Sequence, residues 1–183
     1  MASRVRKTPR LRFGRLSTSG ANYFVTFCTK GRRSELTDHS NATALIDVLR
    51  LVHESRDIEL IAACVMPDHV HLLFKLGSRL EVGQVIGKIK TLSRLRTKAD
   101  WQWQDESFER QLRTSDSLEN YAFYIFMNPY RAGLCQLTER WPWWVCPQSI
   151  DFNFISYLEG GLPVPEEWIG RSKEIARRLV VRG

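Results

Sequence analysis

The 183-residue sequence has no continuous apolar stretch approaching a membrane span, and its charged N-terminus lacks the apolar region of a signal peptide. A membrane or exported protein is therefore not expected, and a cytoplasmic location is. The four cysteines, Cys28, Cys64, Cys135 and Cys146, form no Cys-x-x-Cys pair, which leaves reduced structural thiols as the reading and disfavours zinc held by cysteine. There is no internal repeat and no low-complexity linker. Acidic residues are absent from residues 1–15, MASRVRKTPRLRFGR, which hold six basic ones. Within a net charge of +7, such a segment favours a polyanionic partner. An amphipathic membrane arm would need a long apolar face that this stretch does not have.

An apolar content of 43% in a chain of this length supports one substantial core. The boundaries expected are a basic arm over 1–18, a folded domain over 19–150 and a C-terminal extension with a basic helix over 151–183. NYFVTFCTK, rich in β-branched and aromatic residues, predicts a first strand. Ala44, Leu45, Val48, Leu49 and Val52 follow helical spacing after the cap candidates Ser40 and Asn41. Residues 58–65 and 69–76 predict a hairpin, LEVGQVIGKIKTLSRLRTKA a second helix, and WQWQDESFERQLR a short strand or loop. The order strand, helix, hairpin, helix, strand suits an α+β sandwich with an antiparallel sheet.

Two segments carry chemistry. In CVMPDHVHLLFKL, Val70, Leu72, Phe74 and Leu76 alternate with His69, His71 and Lys75, so one strand face suits a core and the other presents two imidazoles side by side. Two surface histidines and two metal ligands are both compatible with this spacing, since histidine is an ordinary polar residue as well as the commonest metal ligand. The second segment is TSDSLENYAFYIFMNPYRAGL. Asp116 three residues before Glu119 resembles a capping-box start, and Pro129 predicts an end near Asn128. Tyr124 and Asn128, four residues apart, share a helix face. Helix tyrosines are usually packing residues, and Tyr121 and Phe123 carry no further signal.

Together the segments resemble a known family. MPDHVHLL is similar to the His-hydrophobic-His motif of single-tyrosine transposases of the IS200/IS605 type. YIFMNPYRAGL is similar to the tyrosine motif of their branch called REP-associated tyrosine transposases, and the resemblance runs from the first strand through Leu134. Asp68 departs from it, since relatives often carry Asn there. The resemblance implies a ferredoxin-like or RRM-like antiparallel sheet flanked by helices. It implies that His69, His71 and Asn128 are metal ligands for Mg²⁺ or Mn²⁺ and that Tyr124 is the nucleophile. The substrate implied is single-stranded DNA folded into a hairpin, of the repetitive extragenic palindrome (REP) class, acted on in the bacterial nucleoid.

The chemistry then expected is cleavage and rejoining through a 5′-phosphotyrosine. A phenol of reference pKa near 10 needs assistance at neutral pH, and a divalent ion polarising a phosphate oxygen supplies it. Basic residues expected to follow the DNA backbone are Arg4, Arg6, Lys7, Arg10 and Arg12 in the arm, with Lys88, Lys90, Arg94 and Arg131 elsewhere. Trp141, Trp143 and Trp144 could stack bases, with packing the plainer reading. Two rivals stand beside this: a hairpin DNA- or RNA-binding module without chemistry, and a metal-dependent phosphodiesterase using water. His39 and His53 are isolated and supply no second histidine motif.

Overall fold

The computed structural model describes residues 17–97, 100–147, 150–163 and 167–179. The arm residues Arg4, Arg6, Lys7, Arg10 and Arg12 lie outside them. Four long strands, β1 (Asn22–Thr29), β2 (Ile58–Val65), β3 (His69–Leu76) and β4 (Trp103–Gln111), and the short β5 (Trp144–Val145) form one sheet in the order β4-β1-β3-β2-β5. Every pairing is antiparallel. With α1 (His39–Glu54) and α2 (Val82–Arg96) between strands, this is the ferredoxin-like split βαβ arrangement. The segment from Trp103 to Gln111 is a nine-residue strand, longer than the short strand or loop read from its polar composition. It occupies an edge of the sheet, where burial of only one face leaves little apolar periodicity to read.

The two sheet faces carry separate cores. Tyr23, Val25 and Phe27 of β1 and Val70, Leu72 and Phe74 of β3 pack against α1 and α2. Phe24 and Leu73 point the other way, into a second core with α3 (Leu118–Phe126), α4 (Asn128–Arg131), α5 (Asn153–Ser156) and α6 (Glu167–Arg178). Period-two alternation thus feeds both layers. Helix α3 is buried all round from Tyr121 to Phe126, as expected of a helix held between a sheet and further helices. Phe123 meets Phe154 and Trp168 at centroid distances of 5.4 and 5.1 Å, which seats α5 and α6 on α3.

The helix caps differ from those read in the sequence. Asp38 caps α1, accepting from the backbone N–H groups of Ser40 and Asn41, while Asn41 turns inward and donates to the Glu35 carbonyl at 2.8 Å. Ser117 caps α3 by accepting from Asn120 N–H. Asp116 instead receives Arg110, and Glu119 receives Asn153 and the Phe154 N–H. Several polar side chains compete for each helix start, and partners distant in sequence decide which of them is drawn away. Past Phe126 the chain continues for one more turn, α4, with Pro129 in its first turn, where a missing N–H costs nothing.

Candidate active site

Strand β3 places His69 and His71 on the face covered by α3. That face is closed rather than half-exposed: His71 is fully buried and His69 is 8% exposed. The apolar Leu73 on the same face is the sequence signal for this, because a solvent-facing strand side seldom carries a large apolar residue in its centre. The two imidazole Nε2 atoms stand 3.2 Å apart, with the rings crossed at 81°.

The inner nitrogens are held in place. His69 Nδ1–H donates to Asp68 Oδ1 at 2.6 Å, and Asp68 Oδ2 pairs with Arg32 Nε at 2.8 Å. His71 Nδ1 shares a 2.8 Å hydrogen bond with Thr26 Oγ1, the residue directly opposite it on β1. A hydroxyl both donates and accepts, so Thr26 serves either tautomer of His71. With Thr26 donating, His71 Nε2–H can donate to His69 Nε2. With Thr26 accepting, both Nε2 lone pairs converge on one point. Carboxylate and hydroxyl partners of this kind orient ligating histidines at metal sites.

The donor set fits a divalent ion. Two nitrogen ligands about 2.1 Å from one ion and at right angles to each other stand about 3 Å apart, close to the observed separation of 3.2 Å. Among the described residues no group of three His, Cys, Asp or Glu side chains is placed to hold a metal, so a third protein ligand drawn from them would be of another type. Asn128, one helical turn beyond Tyr124, is the candidate the sequence offers. It is 7% exposed, and its buried Nδ2 has no hydrogen-bond partner among the described residues. Rotating the amide by half a turn exchanges nitrogen for oxygen in nearly the same space, which would present a cation ligand.

Tyr124 lies beside the pair, its ring centroid 5.4 Å from that of His71. Phe24 stacks on His71 at 5.6 Å and meets Tyr124 edge-on at 6.1 Å, so one aromatic ring steadies both groups. Burial pushes the Tyr124 hydroxyl above its usual pKa, against the opposing pull of Arg131. Burial also lowers the pKa of both histidines. Asp68 opposes this at His69, whereas at His71 the neighbouring His69 adds to it and the pKa falls well below normal. Both imidazoles are therefore neutral at pH 7, the state in which they ligate metals.

The basic residues read from the sequence do not all converge here. Lys88, Lys90 and Arg94 lie on α2, across the sheet from Tyr124. Lys88 pairs with the buried Asp57 at 2.6 Å, and Lys90 donates to the Gln104 carbonyl of β4 at 2.7 Å. Arg131 does reach the site: its guanidinium lies over the Tyr124 ring, 4.4 Å from the centroid, and donates to Ser172 Oγ at 2.8 Å. The tryptophans are structural. Trp141 donates to the Val65 carbonyl at 3.0 Å, the Trp143 carbonyl accepts from Val65 N–H, and Trp144 packs on Phe126. Thr26 and Ser172 were not legible as site residues, because each acts through a contact far away in sequence. Strand register would have exposed Thr26 once β1 was paired with β3.

Comparison with known proteins agrees with this architecture. A REP-associated tyrosine transposase of Escherichia coli is 23% identical over 133 residues, covering 71% of this chain and 79% of that protein. A Haemophilus influenzae protein bearing the same family name is 28% identical over 142 residues, covering 69% and 80% respectively. The solved structure of a REP-associated tyrosine transposase bound to a REP hairpin superposes with a TM-score of 0.61 at 21% identity, over 76% of this chain and 93% of that one, and so shares the fold. The model for the family described as IS200-like transposases matches residues 17–115, a stretch that contains His69 and His71 and stops before Tyr124. That match spans more than half of the chain, which therefore belongs to the IS200-like transposase family.

Proposed function

We propose that this transposase is a metal-dependent single-strand DNA endonuclease and strand transferase that recognises hairpin-forming DNA and cuts and rejoins it through a 5′-phosphotyrosine on Tyr124. One observation carries the reading: two neutral imidazoles with Nε2 atoms 3.2 Å apart sit against the phenol of Tyr124, inside a largely apolar layer. Burying three polar groups together is costly unless they have partners or work to do. A divalent ion, Mg²⁺ or Mn²⁺, held by His69, His71 and Asn128 would supply polarisation of a non-bridging phosphate oxygen.

The protein's own groups do the rest. Asp68 and Thr26 fix the imidazoles, and Phe24 and the α3 backbone hold the phenol beside them. Tyr124 Oη attacks phosphorus, the bond from phosphorus to the 3′-oxygen breaks, and the phenol proton passes through water to that departing oxygen. The products are a 5′-phosphotyrosine and a free 3′-hydroxyl. A second 3′-hydroxyl reverses the exchange and reseals a strand without ATP, because the phosphoester is transferred and never hydrolysed. The hairpin carried by the structural relative supports single-stranded palindromic DNA of the REP class as substrate. The basic arm, Arg4 to Arg12, and Lys88, Lys90 and Arg94 on α2 would follow its phosphates. Such a substrate would place the protein at the bacterial nucleoid.

A denaturing gel tests the proposal, with labelled hairpin oligonucleotides, Mn²⁺ or Mg²⁺, and wild type beside Tyr124→Phe and His69→Ala. A protein-DNA adduct confined to wild type is expected. Cleavage surviving in Tyr124→Phe would point to water as the nucleophile, and binding without cleavage in every lane to a recognition module.

A further inference from the structure

The Tyr124 ring has a cation on its face. Arg131 Cζ lies 4.4 Å from the ring centroid, and the guanidinium is coupled electrostatically to Tyr124 and to the neighbouring His71. The guanidinium is half-buried and is fixed by Ser172, a fully buried hydroxyl on α6, 41 residues further along the chain. Helix α6 is itself anchored on α3 by Trp168 against Phe123 and by Arg171 over the same ring at 4.8 Å. A long, flexible arginine would otherwise extend into water, where its charge is best solvated. The structure instead spends a buried hydroxyl on holding it against the phenol.

We infer that Arg131 is a catalytic residue whose guanidinium offsets the negative charge on Tyr124 Oη as the phosphorus–Oη bond breaks, and that Ser172 of α6 is the positioning residue that aims it. This rests on the phosphotyrosine reading above. In rejoining, the oxygen of the incoming 3′-hydroxyl bonds to phosphorus, the phosphorus–Oη bond breaks, and its electron pair remains on Oη. The hydroxyl proton leaves to water, and Oη recovers a proton from water. Between those events Oη carries charge in a water-poor layer, where a fixed cation stabilises it far more than in solution. Arginine suits the task because it stays protonated when half-buried and its planar head lies flat on an aromatic ring. The C-terminal helix thereby becomes part of the active centre.

The test measures hairpin affinity by fluorescence anisotropy and, separately, single-turnover rates of adduct formation and of adduct resolution by an added 3′-hydroxyl strand. Wild type is compared with Arg131→Met, Arg131→Lys and Ser172→Ala. Affinity is expected to be unchanged throughout, with both rates down roughly a hundredfold in Arg131→Met, as for loss of a preorganised charge stabiliser. Ser172→Ala should slow them about tenfold, the scale of losing one hydrogen bond to a charged group, and Arg131→Lys should recover part of the loss. Should Arg131→Met not fold, Ser172→Ala, which removes a single oxygen, decides alone. Weakened affinity with wild-type rates at saturating DNA would make Arg131 a DNA-contact residue and overturn the inference, as would wild-type rates in Ser172→Ala. Failure of wild type itself to form an adduct would overturn the phosphotyrosine reading instead.

Discussion

Replacing Asp68 by Asn removes one charge from the histidine pair while keeping its shape. The Asp68 carboxylate accepts from His69 Nδ1 at 2.6 Å and pairs with Arg32 at 2.8 Å. Asn retains an acceptor oxygen, so the hydrogen bond persists as a neutral one. The loss is the difference between a charged and a neutral hydrogen bond, about 1 kcal/mol. The Arg32 pair adds little, because the Arg32 side chain is 41% exposed and solvent screens it. A less basic His69 should therefore bind a divalent ion about fivefold more weakly, near the lower end of what outer partners of metal-bound histidines contribute. The assay is a Mn²⁺ titration followed by electron paramagnetic resonance, in which the free-ion signal disappears on binding, without DNA and without any dependence on turnover. Melting temperature should fall by only about 2–4 °C, the shift that a loss of about 1 kcal/mol gives in a chain of this size. An unchanged Mn²⁺ midpoint would refute the reasoning, and so would a large fall in melting temperature, which would make Asp68 a structural anchor.

Three further outcomes are expected. Tyr124→Phe should bind hairpins as wild type does yet form no adduct in a gel assay, with melting unchanged or slightly raised because a buried hydroxyl has been removed. Acid should destabilise the fold in a defined window. His69 and His71 have folded pKa values below their ordinary value of 6.5, so the unfolded chain binds more protons there. Stability in urea melts should be flat with pH above about 6.5 and fall below it as the unfolded state takes up protons; a His71→Asn variant, lacking one of the two groups, should show a shallower fall, and an equally steep one would contradict the assignment. Gly77→Ala should cost at least about 2 kcal/mol in the same melts, because a Cβ there would stand 2.3 Å from the Arg56 carbonyl oxygen and 2.8 Å from that of Asp57. A loss under half that size would show that the β3–α2 turn yields easily.

The elements legible in the sequence were those whose signals are local. Alternation in β3, helical spacing in α1 and α2, and the order of elements gave the antiparallel α+β sheet, and the tyrosine and histidine motifs together indicated the transposase family that the comparisons bear out. What was hidden depends on partners that no local pattern encodes. Whether His69 and His71 were surface residues or ligands stayed open because the covering helix α3 comes more than forty residues later. The caps of α1 and α3 went to Asp38 and Ser117, since Asn41, Asp116 and Glu119 were each drawn to other groups. Arg131 read as one more DNA contact. Its place on Tyr124 follows from the turn of α4 and from Ser172, which a pattern of charges cannot show. Thr26 and Ser172 thus lie beside the motif residues in space while belonging to neither motif segment, and Asp68 and Arg131, inside those segments, owe their roles to partners outside them.

The most direct measurement is peptide mapping of the covalent product. Wild-type protein would be incubated with a hairpin-bearing single strand and Mn²⁺, digested with protease and nuclease, and read by tandem mass spectrometry. A nucleotide 5′-phosphate on the peptide containing Tyr124, with a free 3′-hydroxyl on the released strand, is expected. A modification on any other residue, or cleaved DNA with no modified peptide, would contradict tyrosine transesterification at this site.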